Sequence, residues 1–302
     1  METGPRLTII VASYNSRATI EGCLESLLRQ KTRSPFEVVV ADSSNDGTPD
    51  LIADRFPAVR LLRLAGRKFP GTARNAAIAA GTAPLIAFTD ADCVAREDYV
   101  EALFEAHRDP AAAIGGAIAN YEPANRVSWA SYFCEFSGWM PGAVFGTAGN
   151  LATANASYKR WAFEQCGAFL EGTYGSDTDF NWRLIRGGQA LVWSPYIFVS
   201  HRSIGQLGTF LRHEFAHGRD CCRMRIRSQK FSRLRRWFYA ACFPLIPVKL
   251  FGQIAARVIR RRVYLWKFLA VVPLVVAGLG FWCSGELVAF LGPEYGADRN
   301  QA

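Results

Sequence analysis

The sequence predicts an α/β protein with a mostly parallel central sheet, flanking helices, and membrane helices at its C-terminal end. In the first 90 residues, short apolar runs alternate with helical patterns, as is typical of βαβ units. Half of the 302 residues are hydrophobic and a fifth are charged, which excludes intrinsic disorder. Residues 268–285 carry no charge, and a bilayer crossing needs about 17–25 residues.

The N-terminal elements follow from apolar runs and helical spacing. The predicted strands are 7–12, 37–41, 59–64 and 85–89, and the predicted helices are 19–29, 49–56 and 72–80. Ligands of such sheets bind beyond the carboxyl ends of the strands. The residues that follow the strands are therefore the first candidates for a site.

The middle of the chain is less regular. We predict helices at 96–107 and 177–186, and strands at 113–119, 191–193 and 197–200. Residues 127–139 are predicted as a helix or as a loop over a site. Their aromatic side chains could line a binding site or pack in the core; they are Trp129, Tyr132, Phe133, Phe136 and Trp139.

The positive charge is concentrated near the C-terminal end. Between Arg219 and Arg262 there are 13 of the 35 Lys and Arg residues and a single acid, Asp220. Because this stretch adjoins the most apolar part of the chain, anionic lipid is the expected partner and nucleic acid is not. The eight cysteines show no metal-ligand spacing and are expected to be reduced and buried.

These patterns divide the chain into four segments. Residues 1–220 are expected to form the α/β domain, 221–262 a basic interfacial segment, 263–292 a transmembrane helix, and 293–302 a short tail. Basic clusters flank the apolar stretch 237–256 on both sides, so it is expected to lie in the interface or re-enter rather than cross. The alternative is a buried hairpin in a soluble domain. With no secretory signal recognised, the α/β domain is expected in the cytoplasm, at the inner membrane.

Acidic residues follow the predicted strands in order. Asp42 follows the second strand, and Asp90 and Asp92 follow the fourth. Side chains alternate along an extended chain, so Asp90 and Asp92 point the same way. Two such carboxylates suit a divalent cation that also binds phosphate oxygens.

The ordered motifs resemble the family 2 glycosyltransferases with the Rossmann-like GT-A fold, of the membrane-anchored bacterial type. The resemblance covers roughly residues 6–220, and its motifs are ASYN at 12–15, Asp42, Ala73-Arg74-Asn75, Asp90-Ala91-Asp92, Asn155 and the segment 175–184. It implies that six residues bind the nucleotide-sugar donor, namely Ala12, Tyr14, Asp42, Arg74, Asp90 and Ala91.

The resemblance also implies a metal site. Asp92 matches the ligand of Mg²⁺ or Mn²⁺, and His201 could complete the site or be a structural histidine. The other histidines, His107, His213 and His217, are expected to be surface or helix residues.

Asp177 matches the family's catalytic base, which takes a proton from the acceptor hydroxyl. The family's usual Glu before the base is Ser176 here, so the acceptor-side residues are expected to be Ser176 and Asp179. Asp179 also competes with Asp177 for the role of base. On a helix the two should face differently, so only one is expected in the site. Both could instead merely cap the helix.

The expected function is inverting transfer of a single sugar, from a UDP-sugar by resemblance, to a membrane-associated, lipid-linked or glycan acceptor. No motif of processive polymer synthases follows the base. One alternative, motivated by Ser176, is a nucleotide-sugar-binding protein without catalysis. A nucleotidyltransferase is the other alternative, although the loop 13–18 lacks the glycines that such enzymes use to bind triphosphate.

Overall fold

A computed structural model describes residues 4–292. Within that range the core is one mixed sheet of nine strands in the order β3-β2-β1-β4-β8-β6-β9-β5, and β7 also pairs with β9. The strands are β1 (Leu7–Ser13), β2 (Phe36–Asp42), β3 (Arg60–Arg63), β4 (Leu85–Asp90), β5 (Cys93–Ala95), β6 (Ala113–Asn120), β7 (Gly146–Thr147), β8 (Asn155–Lys159) and β9 (Leu191–His201).

Helices pack against both faces of the sheet and continue beyond it at the C-terminal end. They are α1 (Ile20–Leu28), α2 (Thr48–Arg55), α3 (Pro70–Ala80), α4 (Tyr99–Ala106), α5 (Arg126–Phe136), α6 (Trp161–Cys166), α7 (Ser176–Arg186), α8 (Leu207–Ser228), α9 (Arg233–Ala241), α10 (Ile246–Arg261) and α11 (Leu265–Leu291). A short 3₁₀ turn, Phe243–Leu245, joins α9 to α10.

The first four strands of the chain, β1 to β4, pair in parallel as predicted. β1, β2 and β4 are buried for nearly their whole length because helices cover both faces. Their register places Ala12 opposite Asp90 and Ser13 opposite Asp42. The strand-end residues therefore meet at one edge of the sheet.

The second half of the sheet departs from the sequence prediction. Strands β5, β7 and β8 were not predicted, and β8 is inserted antiparallel between β4 and β6. The two short strands predicted at 191–193 and 197–200 are one strand, β9. Its pairing with β6 shifts register between Gly116 and Ala117. The residues skipped there include Pro195, which has no N–H to donate to the ladder, so the strand bulges and then resumes.

Most of the region 127–139 is helix α5 rather than a loop. Asn125 caps it by accepting hydrogen bonds from the backbone N–H groups of Val127 (2.9 Å) and Ser128 (3.0 Å). The aromatic side chains Trp129, Tyr132 and Phe133 are buried and pack on Tyr264 and Phe268. These three are core residues.

The C-terminal helices are continuous with the α/β domain. Helix α8 runs through the expected boundary at residue 220. α9 and α10 meet at a bend of 54°, and α11 is long and apolar enough to cross a membrane. The expected tail, 293–302, lies outside the described residues.

Helix α11 packs one face on α5 and α8. Gly218 and Gly285 permit this close approach, because a Cβ at Gly218 would collide with the carbonyl of Trp282 and one at Gly285 with the carbonyl of Phe215. The opposite face of α11 exposes apolar side chains, including Trp266 (80% exposed).

Candidate active site

A cavity of about 710 Å³ opens at the carboxyl ends of β1 and β4. Its walls come from distant parts of the chain: the ends of β1 and β4, helices α3 and α5, the start of α7, the end of β9, and helices α8 and α11. The predicted site residues that line it are Ala12, Tyr14, Arg74, Asp90, Ala91, Asp92, Ser176, Asp177 and His201.

Arg74 and Asp90 form an ion pair on the cavity wall. The Arg74 Nη2 atom donates to Asp90 Oδ1 at 2.7 Å, and the Arg74 side chain is only 7% exposed. Burial raises the pKa of Asp90 and Asp92 adds to this effect, whereas Arg74 opposes it. A guanidinium fixed by one carboxylate keeps other donors for phosphate oxygens.

Tyr14 and Asp42 differ in their access to the cavity. Tyr14 is exposed on the rim, with the Arg67 guanidinium 5.0 Å from its ring centroid. Asp42 is not among the described residues that line the cavity. Its carboxylate instead accepts hydrogen bonds from Ser44 N (2.9 Å) and Ser44 Oγ (2.8 Å). Asp42 thus orders the loop that contacts the ASYN turn, where Ser44 Oγ accepts from Asn15 N.

Asp92 and His201 come together because β5 pairs with β9. Cys93 lies opposite His201 in that pairing, so the preceding Asp92 is brought to the imidazole. Asp92 Oδ1 is 3.2 Å from His201 Nε2. Burial alone would lower the pKa of His201, but Asp92 raises it to about 9.

These two residues fit a divalent cation. Asp92 Oδ1 is buried and has no aligned hydrogen-bond donor among the described residues. A carboxylate oxygen with an imidazole nitrogen suits Mn²⁺ or Mg²⁺. Cys93 is also near, but its Sγ atom lies 3.8 Å from the carbonyl oxygen of Ala154, and Mg²⁺ and Mn²⁺ prefer oxygen to sulfur ligands.

Asp177 faces the cavity from the first turn of α7. The helix begins after Gly175, whose φ of 74° is easily adopted only by glycine. Asp177 Oδ2 accepts hydrogen bonds from Thr153 N (3.2 Å) and Thr153 Oγ1 (3.1 Å). Its Oδ1 accepts from Thr178 N at 2.8 Å. Neutral donors thus hold a half-buried carboxylate toward the cavity.

Ser176 and Asp179 have different surroundings from Asp177. Ser176 is buried against α3, where a Cβ on Gly71 would lie 2.7 Å from Ser176 Oγ. Asp179 is outside the cavity-lining set, is 3% exposed, and pairs with Arg183 and Ser228. As expected from helical geometry, the two aspartates face differently and Asp177 is the one in the cavity.

Sequence reasoning missed the opposite wall of the cavity. This wall contains Glu135 from α5, His213 and His217 from α8, and Trp282 from α11. His213 and His217 are helix residues as expected, but they face the cavity rather than the surface. Their spacing of four residues, which places both on one helix face, was the available signal. His107 lies elsewhere, with its Nε2 atom 2.7 Å from Ser157 Oγ.

Comparison with known proteins decides the family. The model of glycosyl transferase family 2 matches residues 8–165. The chain belongs to glycosyl transferase family 2. The match spans strands β1 to β4, the Arg74–Asp90 pair and Asp92, and the resemblance carried by the sequence motifs is confirmed.

Two curated relatives of this family 2 protein match parts of it. Succinoglycan biosynthesis protein ExoO of Rhizobium meliloti is 42% identical over 102 residues, which are 33% of this chain and 29% of that protein. Validoxylamine A glucosyltransferase of Streptomyces hygroscopicus is 33% identical over 128 residues, 40% of this chain and 30% of that protein. The match therefore covers less than a third of either relative.

A solved structure supports the fold over nearly the whole chain. The mannosyltransferase PcManGT of Pyrobaculum calidifontis, determined with GDP-Man and Mn²⁺, superposes with a TM-score of 0.60. It covers 95% of this chain and 88% of its own, at 20% identity. The predicted GT-A architecture is confirmed.

Proposed function

We propose that this family 2 protein is an inverting glycosyltransferase that moves a single sugar from a nucleotide-sugar to a lipid-linked acceptor at a bacterial inner membrane, with its cavity on the cytoplasmic side. The observation that carries the proposal is that one cavity holds the Arg74–Asp90 pair, the Asp92–His201 pair and Asp177. These are the parts needed to hold a sugar diphosphate and to activate an acceptor.

The donor would bind at the sheet edge. Ala12, Tyr14 and Ala91 would contact its nucleoside, and the Arg74 guanidinium would bind diphosphate oxygens. A bound Mg²⁺ or Mn²⁺, held by Asp92 and His201, would neutralise the charge that develops on the leaving nucleoside diphosphate.

Asp177 would act on the acceptor. Its carboxylate takes the proton of the acceptor hydroxyl as that oxygen attacks the anomeric carbon, and the bond to the diphosphate breaks in the same step. Such a single displacement inverts the anomeric centre and needs no enzyme nucleophile. Thr153 and Thr178 hold the carboxylate for this task.

The C-terminal helices support a lipid-linked acceptor. The cavity reaches α11, where Trp282 forms part of its wall. Helices α9 and α10 expose apolar side chains beside arginines, and examples are Leu234 (81% exposed) and Trp237 (64% exposed). A surface of this composition binds anionic membranes. A lipid carrier held there could present its sugar or phosphate to the cavity.

The donor nucleotide is tested by nucleotide release. Detergent-purified full-length protein would be given UDP-, GDP- and dTDP-sugars with Mn²⁺ or Mg²⁺, with and without bacterial membrane lipid. The panel includes GDP-sugars because the superposed mannosyltransferase was determined with GDP-Man. We expect metal-dependent release of one nucleotide that grows with added lipid and is lost in Asp92→Ala and Asp177→Asn.

Two outcomes would reject the proposal. Tight binding of one donor without turnover on any lipid acceptor would favour a binding protein, for which Ser176 is the motivating residue. If nucleotide release does not change with membrane lipid but increases with soluble glycans, the protein is a glycosyltransferase whose acceptor is not lipid-linked.

A further inference from the structure

Three side chains on the wall opposite the donor residues converge on one point. His213 and His217 project from the same face of α8, and Glu135 projects from α5. One ligand atom from each of the three lies within 4.8 Å of the other two. Glu135 Oε1 is 2.9 Å from His213 Nε2, and the two imidazole ring centroids are 5.2 Å apart.

The cluster contains a buried imidazole nitrogen that its internal contacts leave without a hydrogen bond. His217 Nδ1 is buried and has no aligned hydrogen-bond partner among the described residues. A carboxylate oxygen and imidazole nitrogens are common ligands of divalent zinc.

We propose that Glu135, His213 and His217 bind a second divalent cation, of the zinc type, separate from the cation held by Asp92 and His201. Two histidines four residues apart on a helix present both imidazoles to Zn²⁺, and a carboxylate from a second element is a common third ligand. Two imidazoles with one carboxylate suit Zn²⁺ better than Mg²⁺, which prefers oxygen ligands.

The residue between the two histidines separates this site from a hydrolytic zinc centre. In His213-Glu214-x-x-His217 the central Glu214 is fully buried, and it is not among the described residues that line the cavity. Burial, together with nearby Glu135, raises the pKa of Glu214 well above its usual value. A fully buried carboxyl that does not reach the cavity is not placed to activate a water on the metal, so the site is a binding site.

Three protein ligands leave a coordination position open to the cavity. Asp177 and Trp282 line the same cavity, so an oxygen of the acceptor can occupy that position. This assignment to the acceptor rests on the proposed function, whereas the metal site itself does not.

The test measures metal binding directly. Full-length protein in detergent is stripped with a chelator and titrated with Co²⁺, which reports low-coordinate nitrogen and oxygen ligands by its visible absorption. The titration is repeated with Zn²⁺ in competition. The background variant Asp92→Asn weakens the first site and isolates the second.

In that background we expect one equivalent of Co²⁺ that Zn²⁺ displaces. Adding His217→Ala or Glu135→Gln should raise its dissociation constant by at least about tenfold, because loss even of a supporting residue costs on the order of ten- to a hundredfold. His107→Ala is the matched control, since it removes a half-buried histidine that lies outside the cavity, and it should leave the titration unchanged. Thermal unfolding of each variant verifies that it folds.

The proposal fails if the Asp92→Asn protein binds no Co²⁺, or if folded His217→Ala and Glu135→Gln in that background bind Co²⁺ as tightly as their parent. Nucleotide release by the unsubstituted protein distinguishes the two proposals. If that protein binds a second metal ion but releases no nucleotide, the metal site stands and the proposed function is rejected. If it releases nucleotide normally but binds no second metal ion, only the second metal site is rejected.

Discussion

Replacing Asp177 with Asn is expected to lower kcat by about 10²–10⁴-fold, with little change in KM for the donor. The carboxylate accepts three hydrogen bonds, two from Thr153 on Oδ2 and one from Thr178 on Oδ1. An amide nitrogen in place of Oδ2 cannot accept from Thr153 and cannot take a proton. Loss of the proton acceptor alone raises the barrier by about 2.7–5.4 kcal/mol.

The assay is metal-dependent nucleotide release with membrane lipid as the acceptor, under saturating donor. Thr153→Val keeps the carboxylate and removes one hydrogen bond, so it should cost roughly tenfold, the magnitude of one bond to a charged group. Asp179→Asn is the matched control, because the same substitution falls on a carboxylate that pairs with Arg183 and Ser228 outside the cavity. It should lower stability and spare kcat. Asp177→Asn retaining more than about a tenth of kcat would refute the assignment of the base.

Three further outcomes are expected. Arg74→Met should weaken donor binding by roughly ten- to a hundredfold, as measured by calorimetry, because it removes a buried charge-assisted donor; unchanged affinity would contradict the role of Arg74. Burial, with a smaller effect of Lys159, lowers the pKa of His107 to about 3, so protons bind the unfolded chain preferentially below about pH 6.5. The free energy of unfolding should therefore decrease as the pH is lowered from about 6.5 to about 3, by at most about 1.4 kcal/mol per pH unit. The melting temperature of His107→Gln should depend less on pH over this range, and an equal pH dependence would be evidence against this. Replacing the exposed Trp237 and Leu234 of α9 with Ser should reduce sedimentation of the protein with anionic vesicles, and unchanged sedimentation would argue against α9 as a membrane contact.

The sequence identifies the parallel half of the sheet well. The strands β1, β2 and β4 are continuous apolar runs, and such a run can lie only where both faces of a sheet are covered. The sequence alone therefore predicts that the acids at their ends lie at one edge of the sheet. β8 was missed because its five residues, Asn155–Lys159, are partly polar, and its place between β4 and β6 depends on partners far along the chain. Local patterns do not contain that information.

In the candidate site too, the sequence predicts what depends on local geometry and misses what depends on distant parts of the chain. Helical geometry separated Asp177 from Asp179, because the angle between positions two apart is a local property. The family resemblance suggested that His201 could lie beside Asp92, and the pairing of β5 with β9 brings the two residues together. Glu135, His213 and Trp282 were not recognised, since only the packing of α5, α8 and α11 brings them to the same cavity.

The close contact at Gly218 and Gly285 holds α11 directly against the backbone of α8. Helix α8 carries two cavity histidines and α11 carries Trp282, so a chain that ended before α11 would lose one wall of the cavity. The apolar helix is in this sense part of the site and not a detachable anchor. Tilting or sliding of α11 would be transmitted through Trp282 to the cavity that Asp177 faces.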